Sequence, residues 1–148
     1  MKGGIYLPPF VIREITTKEG EALYNEDPTG EAVIDPDITY TLVDMMREVI
    51  KSGTGKAAAN MPYNLAGKTG TTDDFKDSWF IGFSPQLLCG VWVGYDKNRT
   101  LGSKESGAVT ALPIWMEFMS KALPFYPNTD FERPPKNENG EIAPLPNE

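Results

Sequence analysis

Leu65-Ala66-Gly67-Lys68-Thr69-Gly70-Thr71, followed by Ser78-Trp79-Phe80-Ile81-Gly82-Phe83 and by Leu87-Leu88-Cys89-Gly90-Val91-Trp92-Val93-Gly94-Tyr95, reads as three consecutive strands. Ser84-Pro85-Gln86 is short enough to join the last two as an antiparallel hairpin. The sheet is therefore predicted to be antiparallel. In 87–94 nearly every position is apolar or glycine, so this strand is expected to be covered on both faces, by helices packed on each side. The fold class that follows is α+β, an antiparallel sheet flanked by helices.

Upstream, Asp35 before Pro36 offers an N-cap and a proline at the first helical position, and Ile38, Leu42, Met45 and Val49 recur at helical spacing. A helix over 36–51 is predicted, with that apolar stripe as core. Ser52-Gly53-Thr54-Gly55 ends it, since glycine past the last turn closes helices through a left-handed conformation. Earlier still, Phe10-Val11-Ile12-Arg13-Glu14-Ile15 and Ala22-Leu23-Tyr24 flank Lys18-Glu19-Gly20-Glu21 as a hairpin, and Asp27-Pro28-Thr29-Gly30 is a turn into Ala32-Val33-Ile34.

Downstream, 96–99 and 102–107 are loops by composition, and a second helix is predicted over 109–123 on Ile114, Trp115, Phe118, Met119 and Ala122. Residues 124–148 hold six of the thirteen prolines and almost no apolar cluster. Such a segment cannot offset its ordering entropy, so it is expected to be a disordered tail, with residues from Asn128 onward mobile. The chain thus divides into a folded part, 1–123, and a tail, 124–148.

Composition narrows the chemistry. A formal charge of -7 without a Lys/Arg run lacks the basic footprint of nucleic-acid binding. No apolar stretch reaches the roughly 20 residues needed to cross a bilayer, and Met1-Lys2-Gly3-Gly4 does not open into a signal-peptide apolar region. Cys89 alone cannot close an internal disulfide and reads as a buried, inert thiol. With no histidine anywhere, Ser-His-Asp and Cys-His catalysis and the commonest zinc sites are excluded. Asp73, Asp74 and Asp77 read as a solvated turn rather than a metal site, and Trp79, Trp92 and Trp115 as core or partly covered aromatics.

Gly67-Lys68-Thr69 first invites comparison with a phosphate-binding loop, but that loop needs glycine where this sequence has Pro62, and a helix where it has another strand. On its own, a lysine with threonines on an edge strand also reads as protection against aggregation. The flanking blocks favour a different reading. Ala66-Gly67-Lys68-Thr69-Gly70-Thr71-Thr72, then Asp77-Ser78-Trp79-Phe80-Ile81-Gly82-Phe83-Ser84-Pro85, then Val91-Trp92-Val93-Gly94-Tyr95-Asp96, with Ser52-Gly53-Thr54-Gly55 ahead and Ala111-Leu112-Pro113-Ile114-Trp115 behind, closely resemble the bifunctional class A penicillin-binding proteins. The resemblance covers about residues 5–123. It implies the distal part of their transpeptidase domain, in which a Lys-Thr-Gly strand lies beside an S-x-x-K nucleophile and an S-x-N element.

What the resemblance implies for single residues is specific. Lys68 organises the site and meets the substrate carboxylate, Thr69 and Thr71 offer hydroxyls, and Gly70 lets the strand approach the substrate backbone. The backbone N–H of Thr71 is one oxyanion donor. The six serines, Ser52, Ser78, Ser84, Ser103, Ser106 and Ser120, have no lysine three positions on and no Asn or Asp two positions on, so the chain holds no matching nucleophile and is expected to be inactive alone. The partners implied are a peptidoglycan stem peptide and β-lactams in the complete domain, together with the N-terminal part of that domain; no cofactor or metal is implied. The parent would be membrane-anchored with this domain outside the cytoplasmic membrane. The alternative is a non-catalytic peptidoglycan- or partner-binding module.

Overall fold

The computed structural model describes residues 3–26, 29–97 and 99–133, which divide into two units, 3–39 and 40–133. The expected turn at Asp27-Pro28 and the tail beyond 133 lie outside the described residues.

In the first unit, two small ladders form. Strand β1 (Ile5–Tyr6) pairs with β4 (Glu31–Ala32), and β2 (Glu14–Thr16) pairs antiparallel with β3 (Ala22–Asn25). Gly20 takes a φ of +89° in the β2–β3 turn, a conformation that glycine adopts without steric cost. Helix α1 (Pro36–Lys51) starts as its cap residue dictates, with the Asp35 carboxylate accepting the N–H groups of Asp37 (2.8 Å) and Ile38 (3.2 Å).

The second unit is built on β5 (Ala66–Thr71), β6 (Asp77–Phe83) and β7 (Leu88–Gly94), in the order β5-β6-β7 and antiparallel throughout. Pairing runs from Ala66↔Phe83 to Thr71↔Ser78, and from Asp77↔Gly94 to Phe83↔Leu88. Ser84 closes the hairpin: its hydroxyl accepts the N–H groups of Gln86 and Leu87. Helix α2 (Ala111–Ala122) lies on one face of the sheet and buries Leu112, Trp115 and Met119. Trp115 has no solvent exposure and packs edge-on against Phe80, 5.0 Å between ring centroids. The cross-strand pair Gly67↔Gly82 makes room for these rings, since a Cβ on Gly82 would lie 2.7 Å from both. At one end of the opposite face Val43 of α1 meets Ala66, with Phe83 and Phe131 beside them.

Four expectations are corrected here. Among the described residues, strand β7 is covered by a helix on one face only: Leu88 and Trp92 are 67% and 44% exposed on the other, as are Trp79 and Ile81 of β6 at 41% and 43%. The stripe Ile38, Leu42, Met45 is the open side of α1; Val43 and Ile50 are the buried positions, because β5 and the 56–65 segment approach that flank. Gly53 and Gly55 do not enter the left-handed region. They are needed for space instead, a Cβ on Gly53 lying 2.9 Å from Val49 Cα and one on Gly55 3.0 Å from Ile50 Cδ1. Finally, the segment expected to be a free tail from 124 docks through residue 131. Asn128 and Asn64 side-chain amides bond the carbonyls of Pro62 and Thr129, and Phe131 is buried. One apolar anchor and several side-chain hydrogen bonds offset the cost that composition alone assigns to it.

Candidate functional site: the free edge of strand β5

In β5, residues 66, 68 and 70 face one side of the sheet and 67, 69 and 71 face α2, by the two-residue repeat of a strand. The backbone alternates in the same way. Thr72 N–H bonds the Asp77 carbonyl at 3.2 Å, and the register is continuous from that pair down to Ala66. The hydrogen-bonded pairs are therefore those of 66, 68 and 70. The N–H and C=O groups of Thr69 and Thr71 point away from β6, and among the described residues no strand pairs with β5 on that side. The result is a free edge carrying the backbone donors of Thr69 and Thr71.

Three of the four residues singled out from sequence place a group on this edge. The exposed Lys68 side chain curls over its own strand so that Nζ donates to the Thr69 carbonyl at 2.8 Å, and it pairs with no carboxylate among the described residues. The ammonium keeps further donors available. Thr69 Oγ1 lies 2.9 Å from Thr54 Oγ1, and Thr71 Oγ1 accepts the N–H of Gly107 at 3.1 Å. The fourth, Gly70, faces Trp79: a Cβ there would lie 3.1 Å from Trp79 Cβ. The site is thus a strand edge with one ammonium and two outward backbone N–H donors, an arrangement suited to lying along an extended peptide or holding an anionic oxygen.

Thr54 and Gly107 were not legible as neighbours of this strand, because they stand 15 and 36 positions from their partners in sequence. The Gly-Thr-Gly run at 53–55 was the available signal for Thr54; for Gly107 there was none beyond its place in a loop. Asp77 has a structural part, as its carboxylate accepts Trp92 Nε1 at 3.0 Å and the Thr72 hydroxyl at 3.1 Å. A cavity of about 620 Å³ opens elsewhere, between α1 and residues 58–65, and none of residues 68–71 lines it. Among the described residues no helix is long and apolar enough to cross a membrane.

The family model described as "Penicillin binding protein transpeptidase domain" matches residues 1–114. Penicillin-binding protein 1A of Aquifex aeolicus is 47% identical over 134 residues, and that of Pseudomonas aeruginosa 44% over 111. These matches cover 90% and 74% of this chain but 18% and 14% of the relatives, so the chain spans less than a fifth of their length. The crystal structure of penicillin-binding protein 1A from Haemophilus influenzae superimposes with a TM-score of 0.80 at 26% identity, over 90% of this chain and 26% of that one. With the motif order, the three-stranded antiparallel sheet and the family match in agreement, this chain belongs to the penicillin-binding protein transpeptidase domain family.

Proposed function

We propose that this chain supplies the substrate-cradling strand of a peptidoglycan D-Ala-D-Ala transpeptidase, a cell-wall cross-linking acyl transferase whose serine lies in sequence upstream of it. In that reaction the serine oxygen attacks the D-Ala-D-Ala carbonyl, the peptide C–N bond breaks, and D-Ala leaves with a proton. The amine of a second stem peptide then attacks the acyl-serine, forming the crosslink and returning the serine. β5 contributes what the nucleophile cannot. The Thr71 N–H is one of two oxyanion donors, Lys68 supplies positive charge beside the reacting carbonyl and the substrate carboxylate, and Thr69, Gly70 and Thr71 bind the peptide alongside. β-Lactams, which acylate the same serine, are held by the same strand. The parent carrying these groups works outside the cytoplasmic membrane, anchored to it by sequence other than this chain.

What carries the reading is the edge of β5 that no described strand pairs, where the outward N–H of Thr71 occurs together with a Lys68 ammonium that meets no carboxylate among the described residues. Intact-mass measurement with a labelled penicillin tests it. The 148-residue chain should gain no adduct, whereas a chain extended upstream through an S-x-x-K serine should gain one drug mass. In that longer chain Lys68→Ala should slow acylation about a hundredfold, the scale of losing one preorganised electrostatic contact. A stoichiometric adduct on the short chain, or a longer chain indifferent to Lys68, sinks the proposal. A longer chain that binds peptidoglycan peptide without acylation points to the binding-module alternative.

A further inference from the structure

Behind the 70–71 peptide, on the side facing α2, lies Gly107. It is buried, and its N–H is the donor to Thr71 Oγ1. Its carbonyl accepts the N–H of Leu112 at 2.9 Å, and Ser106 accepts those of Val109 and Thr110, each at 2.9 Å. The 106–110 turn is thus locked to the start of α2, whose Leu112 has no exposure. A Cβ on Gly107 would overlap the Trp79 carbonyl oxygen and come 3.0 Å from the Gly70 oxygen and 3.2 Å from Thr69 Cβ. Its φ lies outside the left-handed region, so what the position requires is space, not an unusual backbone.

Gly70 C=O and Thr71 N–H belong to one planar peptide unit. The oxygen points toward β6, and the N–H, trans to it, toward the free edge. Whatever pushes the Gly70 oxygen therefore turns the Thr71 donor. We infer that Gly107 is a positioning residue for the acyl-transfer site, fixing the direction of the Thr71 N–H through direct packing on the 70–71 peptide and through its hydrogen bond to the Thr71 hydroxyl. This inference rests on the transpeptidase reading given above. It adds that the 106–110 turn, rather than β6 alone, sets the geometry of the oxyanion donor.

The experiment uses the chain extended upstream through its serine, with acylation by a labelled penicillin followed at several drug concentrations to separate the dissociation constant from the acylation rate constant. Gly107→Ala should lower the rate constant by about 10- to 100-fold, the penalty of misplacing a reacting group by an ångström or losing one oxyanion donor, while the dissociation constant stays within about threefold. Thr71→Val, which removes the acceptor, should lower the rate constant more than Thr71→Ser, which keeps it. Gly107→Ala added to Thr71→Val should then cost less than the two losses multiplied. If Gly107→Ala does not give a cooperatively folded protein, the Val and Ser variants decide, and equal losses in the two overturn the inference. A Gly107→Ala chain that acylates at the parent rate, or whose loss lies wholly in the dissociation constant, overturns it too. Where Lys68→Ala slows acylation and Gly107→Ala does not, this inference alone fails; where the longer chain takes no adduct, both fail.

Discussion

Trp115 donates one indole N–H to two carbonyls, Gly82 at 3.2 Å and Cys89 at 3.1 Å, so a single buried donor serves both β6 and β7. Phenylalanine at 115 would keep most of the volume and leave both acceptors without that donor. Trp115→Phe should therefore cost about 1–3 kcal/mol in denaturant unfolding, and Trp115→Ala about 3–5 kcal/mol. Equal stability of Trp115→Phe and the parent would mean that the indole N–H is not needed. Beside it, partial burial raises the Cys89 thiol above its ordinary range. The folded state then holds the proton to higher pH than the unfolded state. Its contribution to stability is fully present below the unfolded thiol's value and is lost as pH rises through the raised folded one. Two observations follow: alkylation at pH 8 slower than that of a free thiol, and an alkaline limb of the stability profile that is flatter in Cys89→Ala. A Cys89 that alkylates at the free-thiol rate would contradict the burial argument.

At the scale of elements, the 126–131 segment shows how little apolar surface is needed to dock a polar strap. Phe131 meets Phe83 nearly edge-on, 5.7 Å between centroids, and the Arg47 guanidinium lies 5.7 Å from its ring while reaching Asp130 at 3.5 Å. Phe131→Ala should remove about 3 kcal/mol and free the segment. Limited proteolysis would then cut near 126–131 in the variant before any cut there in the parent, and identical digestion of the two would refute the docking. The helices carry smaller terms. Ion pairing lowers the Glu48 and Glu117 carboxyls through Lys51 and Lys121. Their contribution is present above the unfolded carboxylate range and is lost as pH falls through their lowered values. Salt should weaken both, since all four groups are well exposed.

Across the described chain, the two units differ in how much they bury. The 40–133 unit holds a core of Phe80, Leu112, Trp115, Met119 and Leu123, whereas Val11, Ile15, Leu23, Tyr24 and Val33 in 3–39 are all at least 44% exposed. Two-stranded ladders with so little burial are marginal. Amides of β2 and β3 should exchange with solvent well before those of β5 and β6, as hydrogen-exchange mass spectrometry would show; equal protection would require cover that the described residues do not provide. The open sheet face of Trp79, Ile81, Leu88 and Trp92 lies beside a β7 edge that no described strand pairs, and it is the expected site of self-association. Sedimentation of the 148-residue chain should depend on concentration, and Leu88→Lys should reduce that dependence. A monodisperse parent at all concentrations would remove the basis for this expectation.

Local chemistry was readable from the sequence. The Asp35-Pro36 start of α1 and the Ser84-Pro85-Gln86 hairpin each depend on residues within a few positions of one another, so composition and spacing determine them. The Lys68-Thr69-Gly70-Thr71 strand was legible in the same way, as was its kinship, through the order of the flanking blocks. What the tertiary structure alone decided is which surface meets which. Periodicity states that α1 and β7 have apolar faces but not which neighbour covers them, so Val43 and Ile50 are buried while Ile38, Leu42 and Met45 are not. The docking of Phe131 and the approach of Thr54 and Gly107 to the back of β5 depend on contacts between residues 15 to 84 positions apart. No local rule ranks such contacts, because the free energy that selects them lies in packing between elements rather than within any one of them.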